Sequence, residues 1–213
     1  MRKPGSSSAL RWYEANAHLV AERYETHDPE IVHRWWRDQL PATPAAILDI
    51  GAGTGRDAAW LAEQGYDVVA AEPARAMVQE GLRRRPKPRF RWIEDQLPGL
   101  YRVSRLGISF DLILLSAVWM FLPPADRNRA FRKAVQLLKP GGRIVITFRP
   151  PPKPPAELRG MHPVSVSEFE KLARDHAVSI TSCTTEDLPE PDGVIHWTRL
   201  VLRLPDAGGK TKT

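Results

Sequence analysis

The chain has 213 residues, 42% of them hydrophobic, which is enough to bury the core of one domain with short appendages. Its 31 Lys and Arg against 25 Asp and Glu give a formal charge of +6, which permits a phosphate-bearing partner without requiring one. A single cysteine, Cys183, excludes an internal disulfide, no Cys/His spacing suits a metal, and no apolar run is long enough to cross a bilayer, so a metal-free cytoplasmic protein without a membrane partner is expected.

Residues 1–8 are small and polar, lack the apolar segment of a signal peptide, and read as a disordered leader. Helical spacing runs from Leu10 to Tyr24, and a second helix opens at Asp28-Pro29, carries Ile31, Val32, Trp35 and Trp36, and stops before Pro41. Adjacent helical residues cannot both face one ligand, so the tryptophan pair reads as packing onto a sheet. The stretch that follows organises the chain. Ile47-Leu48-Asp49-Ile50 is a short apolar strand stopped by Gly51-Ala52-Gly53-Thr54-Gly55; Ala58, Ala59, Leu61 and Ala62 then recur at helical spacing until Gly65, and Val68 to Ala71 form a second strand that ends on Glu72. Three alternate glycines allow a sharp bend and a close backbone approach, and the helix behind them presents unpaired N–H groups, so a nucleoside-bearing ligand is placed there. A dinucleotide fingerprint needs its third glycine where Arg56 stands; here it comes one place early, at Gly55, which disfavours NAD and FAD.

The form Asp49-x-Gly51-x-Gly53-x-Gly55, with Glu72 after the second strand, resembles the cofactor loop of the class I S-adenosylmethionine (SAM)-dependent methyltransferases. The resemblance runs from about Leu10 to Leu204 and is most specific between Ile47 and Glu72. It implies a doubly wound α/β fold: a seven-stranded, mostly parallel sheet of order 3-2-1-4-5-7-6, the last strand antiparallel, with helices on both faces and an N-terminal helical lid. The divisions expected are a leader at 1–8, a lid at 9–44, a SAM-binding methyltransferase domain at 45–204 and a flexible tail at 205–213. By the same resemblance, SAM and its product S-adenosylhomocysteine (SAH) are held by Asp49, Gly51, Ala52, Gly53, Gly55, Arg56 and Asp57. Glu72 grips both ribose hydroxyls, and Pro73 and Met77 lie close to the adenosine. The segment Trp12 to Ala17 with Tyr24 looks like the family's lid, in which tyrosines close over the methionine half of the cofactor. From the residues alone, apolar packing of Tyr13 and Tyr24 with their hydroxyls at the surface reads equally well.

Downstream, a helix begins after Pro73, and the basic stretch Arg83 to Arg91 reads as a solvated loop leading into a third strand, Phe90 to Ile93. In the family an acidic or amide side chain after that strand takes the adenine amine. Asp95 is the choice, with Glu94 and Gln96 beside it, although a solvated turn would read the same way. Residues 100–106 stay unassigned. The fourth strand, Phe110 to Leu115, should end at the switch point where open α/β sheets bind ligands. Ser116 to Phe121 would then line the site, with Ser116 and Ala117 toward the cofactor and Trp119 and Phe121, together with Trp12, toward the acceptor. A helix over Arg129–Leu138 and a Lys139-Pro140-Gly141-Gly142 turn lead to the fifth strand, Arg143 to Arg149. Pro150 to Pro155 form a stiff rim on which Arg149, Arg159, Met161 and His162 could meet substrate. Ser165 and Glu168 suit a capping box for a helix to about His176, and strands near 178–183 and 195–204 close the domain.

The chemistry implied is in-line methyl transfer from SAM. Methyltransferases of exocyclic base amines carry an Asp/Asn/Ser-Pro-Pro-Tyr/Phe turn where this chain has Ser116-Ala117-Val118-Trp119, and the pair Pro123-Pro124 falls too late. Cytosine-carbon methylation needs a cysteine nucleophile, and Cys183 lies in a peripheral strand, so no DNA partner is expected. Phe121 stands where many small-molecule relatives have a histidine. No catalytic residue is therefore assigned; His162, Glu14 and His18 are the candidates for a base. A methyltransferase of a small-molecule acceptor, peptide and natural product included, is expected. An RNA-modifying methyltransferase and a non-catalytic SAM-binding module are the alternatives.

Overall fold

The computed structural model describes residues 8–151, 160–190 and 193–208. The expected leader, Arg159 with most of the proline-rich rim, and the end of the tail lie outside these residues. In order, the elements are α1 (Ser8–Glu25), α2 (Pro29–His33) continued by a 3-10 turn (Arg34–Gln39), β1 (Ala46–Ile50), α3 (Arg56–Glu63), β2 (Asp67–Ala71), α4 (Arg75–Arg84), β3 (Arg91–Ile93) and α5 (Tyr101–Ser104). There follow β4 (Phe110–Ser116), a 3-10 turn (Trp119–Phe121), α6 (Pro124–Leu137), β5 (Leu138–Phe148), α7 (Val166–Asp175), β6 (Ser179–Glu190) and β7 (Gly193–Arg203).

The strands form one sheet of order β3-β2-β1-β4-β5-β7-β6. β1 to β5 run parallel, and β7 is antiparallel to both neighbours, as the sequence led us to expect. Parallel strands with both faces covered must be apolar throughout, and Ile47, Leu48 and Leu112 to Leu115 are all fully buried. Because successive side chains point to opposite faces, the core splits into two layers. Leu48, Ile113 and Ile146 pack with Trp119, Phe131 and Phe169 on one side; Ile47, Leu112, Leu114 and Val145 pack with Trp36 and Trp60 on the other. The tryptophan pair does pack: Trp36 is fully buried against Trp60, while Trp35 lies under the Arg199 guanidinium.

Four boundaries differ from the sequence reading. α6 starts at Pro124 rather than Arg129, because a proline at the first helical position loses no hydrogen bond. β5 begins at Leu138, which pairs with Phe110 across an irregularity before Arg143 resumes the ladder on Leu112. Within the unassigned stretch, Arg102 and Val103 donate their N–H groups to Asp95 Oδ2 and form the short α5. The β6–β7 hairpin pairs from Ser179↔Arg203 out to Glu190↔Gly193, well past the expected ends. No described helix is long and apolar enough to cross a membrane.

The capping box is half realised. Ser165 accepts from Glu168 N at 3.2 Å, but the Glu168 carboxylate turns away to accept from Trp119 Nε1 at 3.1 Å and Arg127 Nη1 at 2.6 Å. Arg127 is buried and also donates to the carbonyls of Leu122 and Pro163, so one side chain joins α6, α7 and the loops between them. Replacing Arg127 by Met removes these bonds and strands a carboxylate that is largely shielded from water. We expect a loss of about 3 kcal/mol, read as a lower urea midpoint with an unchanged slope.

Candidate functional site

The bend after β1 is built from residues in conformations that side chains resist. Gly53 and Gly55 have φ of +57° and +73°, and a Cβ on Gly55 would lie 2.7 Å from the Phe90 and Trp92 rings. Tyr24 and Met77 lie over Gly53, at 3.9 and 3.6 Å from where its Cβ would stand. Above the bend, the Tyr13 and Tyr24 hydroxyls are 3.0 Å apart, and the Tyr13 ring meets Trp12 and Phe121 edge-on. Five side chains expected around a ligand, those of Trp12, Tyr13, Tyr24, Met77 and Phe121, are thus brought together.

Three carboxyl groups crowd the same bend, and their surroundings separate them. Burial opposes ionisation of Asp57, but His33 and Arg56 outweigh it and hold that carboxyl well below the usual range. Arg56 Nε donates to Asp57 Oδ1 at 2.7 Å, and His33 Nε2 stands 2.9 Å from Oδ2. His33 Nδ1 accepts from the Trp36 indole at 3.1 Å, which leaves the ring proton on Nε2, toward Asp57. Glu72 is buried too; its Oε2 accepts from Gly53 N and its Oε1 from Ala74 N, both at 2.8 Å. Those bonds favour its charge, yet burial dominates and pushes its carboxyl up to about 7. Asp49 is 2% exposed, and its Oδ2 has no hydrogen-bond partner among the described residues. Burial, with the charges of Asp57 and Glu72 added, raises it well above the usual range.

α1 is fastened to this bend at two places. Glu14 reaches across to α4 and accepts from Arg75 N at 2.7 Å and Ala76 N at 3.1 Å, satisfying two first-turn donors of a helix whose own cap, Ala74, cannot. Glu25 accepts from Thr54 Oγ1 at 2.5 Å and from both terminal nitrogens of Arg85, while Arg56 Nη1 donates to Tyr24 O. Two candidate bases are therefore engaged elsewhere: Glu14 caps α4, and His18 lies between Glu22 and Glu80 at 3.3 and 3.4 Å. His162 donates its backbone N–H to Met120 O and is half-buried near the end of β4.

On the acceptor side the structure corrects two expectations. Trp119 is fully buried, its indole spent on Glu168 and its ring packed against Phe131 and Phe169, and Met161 belongs to the same core, so neither faces a ligand. Ser116, Ala117, Val118 and Phe121 are only partly buried, and Ala117 N donates to Thr147 Oγ1 and O. Asp95 accepts from three backbone N–H groups, those of Gln96, Arg102 and Val103, so its carboxylate is turned to its own loop, while Gln96 is exposed. The Arg149 guanidinium lies 6.0 Å over the Trp197 ring. Sequence reading missed Trp197 because only the register of β7 on β5, Phe148↔Thr198, sets it beside Arg149. It also missed His33, Glu25, Arg85 and Gly81. A glycine within a helix is the one visible signal among these: a Cβ on Gly81 would lie 2.2 Å from Thr54 O, so its absence is what lets α4 press on the bend. Gly81→Ala should displace the Thr54 carbonyl and cost about 2 kcal/mol despite its better helix propensity, measured by urea unfolding, with amide shifts concentrated at residues 53–55.

Residues 47–142 match the family model described as a methyltransferase domain. Among curated proteins, the demethylmenaquinone methyltransferase of Beutenbergia cavernae is 34% identical over 147 residues, 65% of this chain and 58% of that protein. The chain spans about half the length of the curated relatives it matches. Among solved structures, the 1,6-didemethyltoxoflavin N1-methyltransferase of Burkholderia thailandensis, with 1,6-didemethyltoxoflavin and SAH bound, aligns with a TM-score of 0.61 at 22% identity, covering 97% of this chain and 94% of that one. The magnesium protoporphyrin IX methyltransferase of Synechocystis, with SAM bound, gives 0.68 at 14% identity over 95% and 100%. At these identities the two structures attest the fold.

Proposed function

We propose that this chain is a class I SAM-dependent methyltransferase that transfers the methyl group of SAM to a small-molecule acceptor, a reading supported by the methyltransferase-domain match over residues 47–142. The observation that carries the reading is the set of buried carboxyl groups at the glycine bend. Asp49 offers an unpartnered, buried Oδ2, and each Glu72 oxygen accepts one N–H and keeps a further lone pair. Such a site complements a ligand that brings positive charge and neighbouring hydroxyls, and it opposes the anionic pyrophosphate of a dinucleotide. The bound SAH and SAM of the two aligned structures are ligands of that first kind.

SAM, when bound, supplies a methyl group on a positively charged sulfur that an acceptor nucleophile displaces in line. The chain's part is to position and to exclude water. Glu72 accepts from the ribose hydroxyls, Asp49 balances the incoming positive charge, and Trp12, Tyr13, Tyr24 and Phe121 cover the bend. Residues 9–44 act as a lid on the domain over 45–204. Phe121, Trp197 and Arg149 give the acceptor side ring surface and one cation, which suits a conjugated, compact substrate. The acceptors named for the relatives, demethylmenaquinone, 1,6-didemethyltoxoflavin and magnesium protoporphyrin IX, share that character. Pairing of Arg83 and Arg84 with Glu80, and of Arg85 with Glu25, removes half of the basic stretch from any RNA track and favours the small acceptor over RNA.

Calorimetric titration should detect SAM and SAH and no binding of NAD; failure to bind SAH would overturn the reading. Because hydroxyls need the ionised Glu72, and its carboxyl protonates as pH falls through about 7, SAH affinity should weaken as pH is lowered from about 8 to about 6. Glu72→Gln should bind at least about tenfold more weakly at the higher pH and lose most of that pH dependence.

A further inference from the structure

The basic stretch of the sequence divides in two. Arg83, Arg84 and Arg85 are held by Glu80 and Glu25 beside the bend. Arg89 and Arg91, at the start of β3, are exposed, and their side chains make no hydrogen bond or ion pair among the described residues. These two line a groove of about 820 Å³ at the amino ends of the strands, with Val68 and Phe90 in its floor and Ile108 and Lys139 along its edge. The glycine bend follows the carboxyl end of β1, so the five residues of that strand set it about 15 Å from Ala46 at the groove, and the Phe90 ring, packed on Gly55, stands between the two. Lys139 is fixed there by Asp111, which also accepts from Ala46 N. Asp67 lines the groove as well, leaving two unopposed guanidinium groups and one carboxylate once Lys139 is matched with Asp111.

We propose that this groove is a second binding site, separate from the cofactor bend, for a small organic phosphate: an anionic head held by Arg89 and Arg91 and an apolar or aromatic body laid on Val68, Phe90 and Ile108. The size lies within the range of small-molecule sites. Arg89, in the bend before β3, and Arg91, at its first residue, both line the groove, and guanidinium groups present paired donors that match phosphate oxygens. Ile108 keeps 43% of its surface exposed in a place where an apolar body would cover it. A nucleic-acid backbone fits less well, since the paired arginines 83–85 interrupt the track of cations that a run of phosphates would need.

The test uses phenyl phosphate, inorganic phosphate and a 20-nucleotide single-stranded RNA, each titrated into the full chain saturated with SAH and followed by backbone amide shifts. Phenyl phosphate should move Val68, Val69, Arg91 and Ile108, bind about tenfold more tightly than inorganic phosphate and weaken with added salt. The double variant Arg89→Gln/Arg91→Gln should lose at least about tenfold of that affinity while its SAH affinity stays at the native value, because both side chains are exposed and unpaired. Shifts absent from the groove, an affinity indifferent to the double variant, or RNA binding in place of phenyl phosphate would each overturn the proposal. SAH binding is read separately, so its failure would bear on the cofactor site alone.

Discussion

The constraint on which this structure turns is the burial of three carboxyl groups around one glycine bend. Taking a carboxylate out of water costs several kcal/mol unless partners offset it, and like charges nearby add to that cost. The chain gives each group a different partner set. Asp57 receives a cation and an imidazole and stays ionised; Glu72 receives two backbone N–H groups and sits at the edge of ionisation; Asp49 has an oxygen with no partner among the described residues, and burial raises its carboxyl well above the usual range. A ladder of readiness to carry charge is thus built from one motif.

The surrounding elements keep that ladder in place. His33 is oriented by Trp36 and stacked on Trp60, so the layer that buries the tryptophans also aims the imidazole at Asp57. Gly81 allows α4 to touch Thr54, and Thr54 is tied in turn to Glu25 and, through its carbonyl, to Arg85. Core packing, helix capping and the electrostatics of the bend are one arrangement here.

Much of this was legible in the residues. Short apolar runs marked the strands of the sheet, the first of them stopped by glycine, and the spacing from Asp49 to Gly55 with Glu72 marked where the bend would be. What escaped the reading had a common physical origin: it depended on register or on partners distant in the chain. Trp119 looks like a ligand-facing ring beside a switch point, yet α6 and α7 close over it, and nothing local announces that Glu168, 49 residues on, will take its indole N–H. Asp95 reads as a free acid after a strand until the loop folds back and supplies three N–H donors. Glu14 and Glu25 resemble ordinary helix-surface charges, and only the tertiary fold reveals the first as a cap for another helix and the second as the partner of Arg85. Asp49, by contrast, was identified by its motif, although its unpartnered oxygen is visible only in three dimensions.

Asn16 breaks the regular geometry of α1, with φ −120° and ψ 15°, and its side chain bonds to the Trp12 carbonyl. Glu14 lies before this break and Glu25 after it, so the two anchors hold different segments of one helix. The break lets the two segments take different directions, so that the first, bearing Trp12 and Tyr13, is tied to α4 while the second, bearing Tyr24, is tied to the glycines, and the two tyrosine hydroxyls still meet across it.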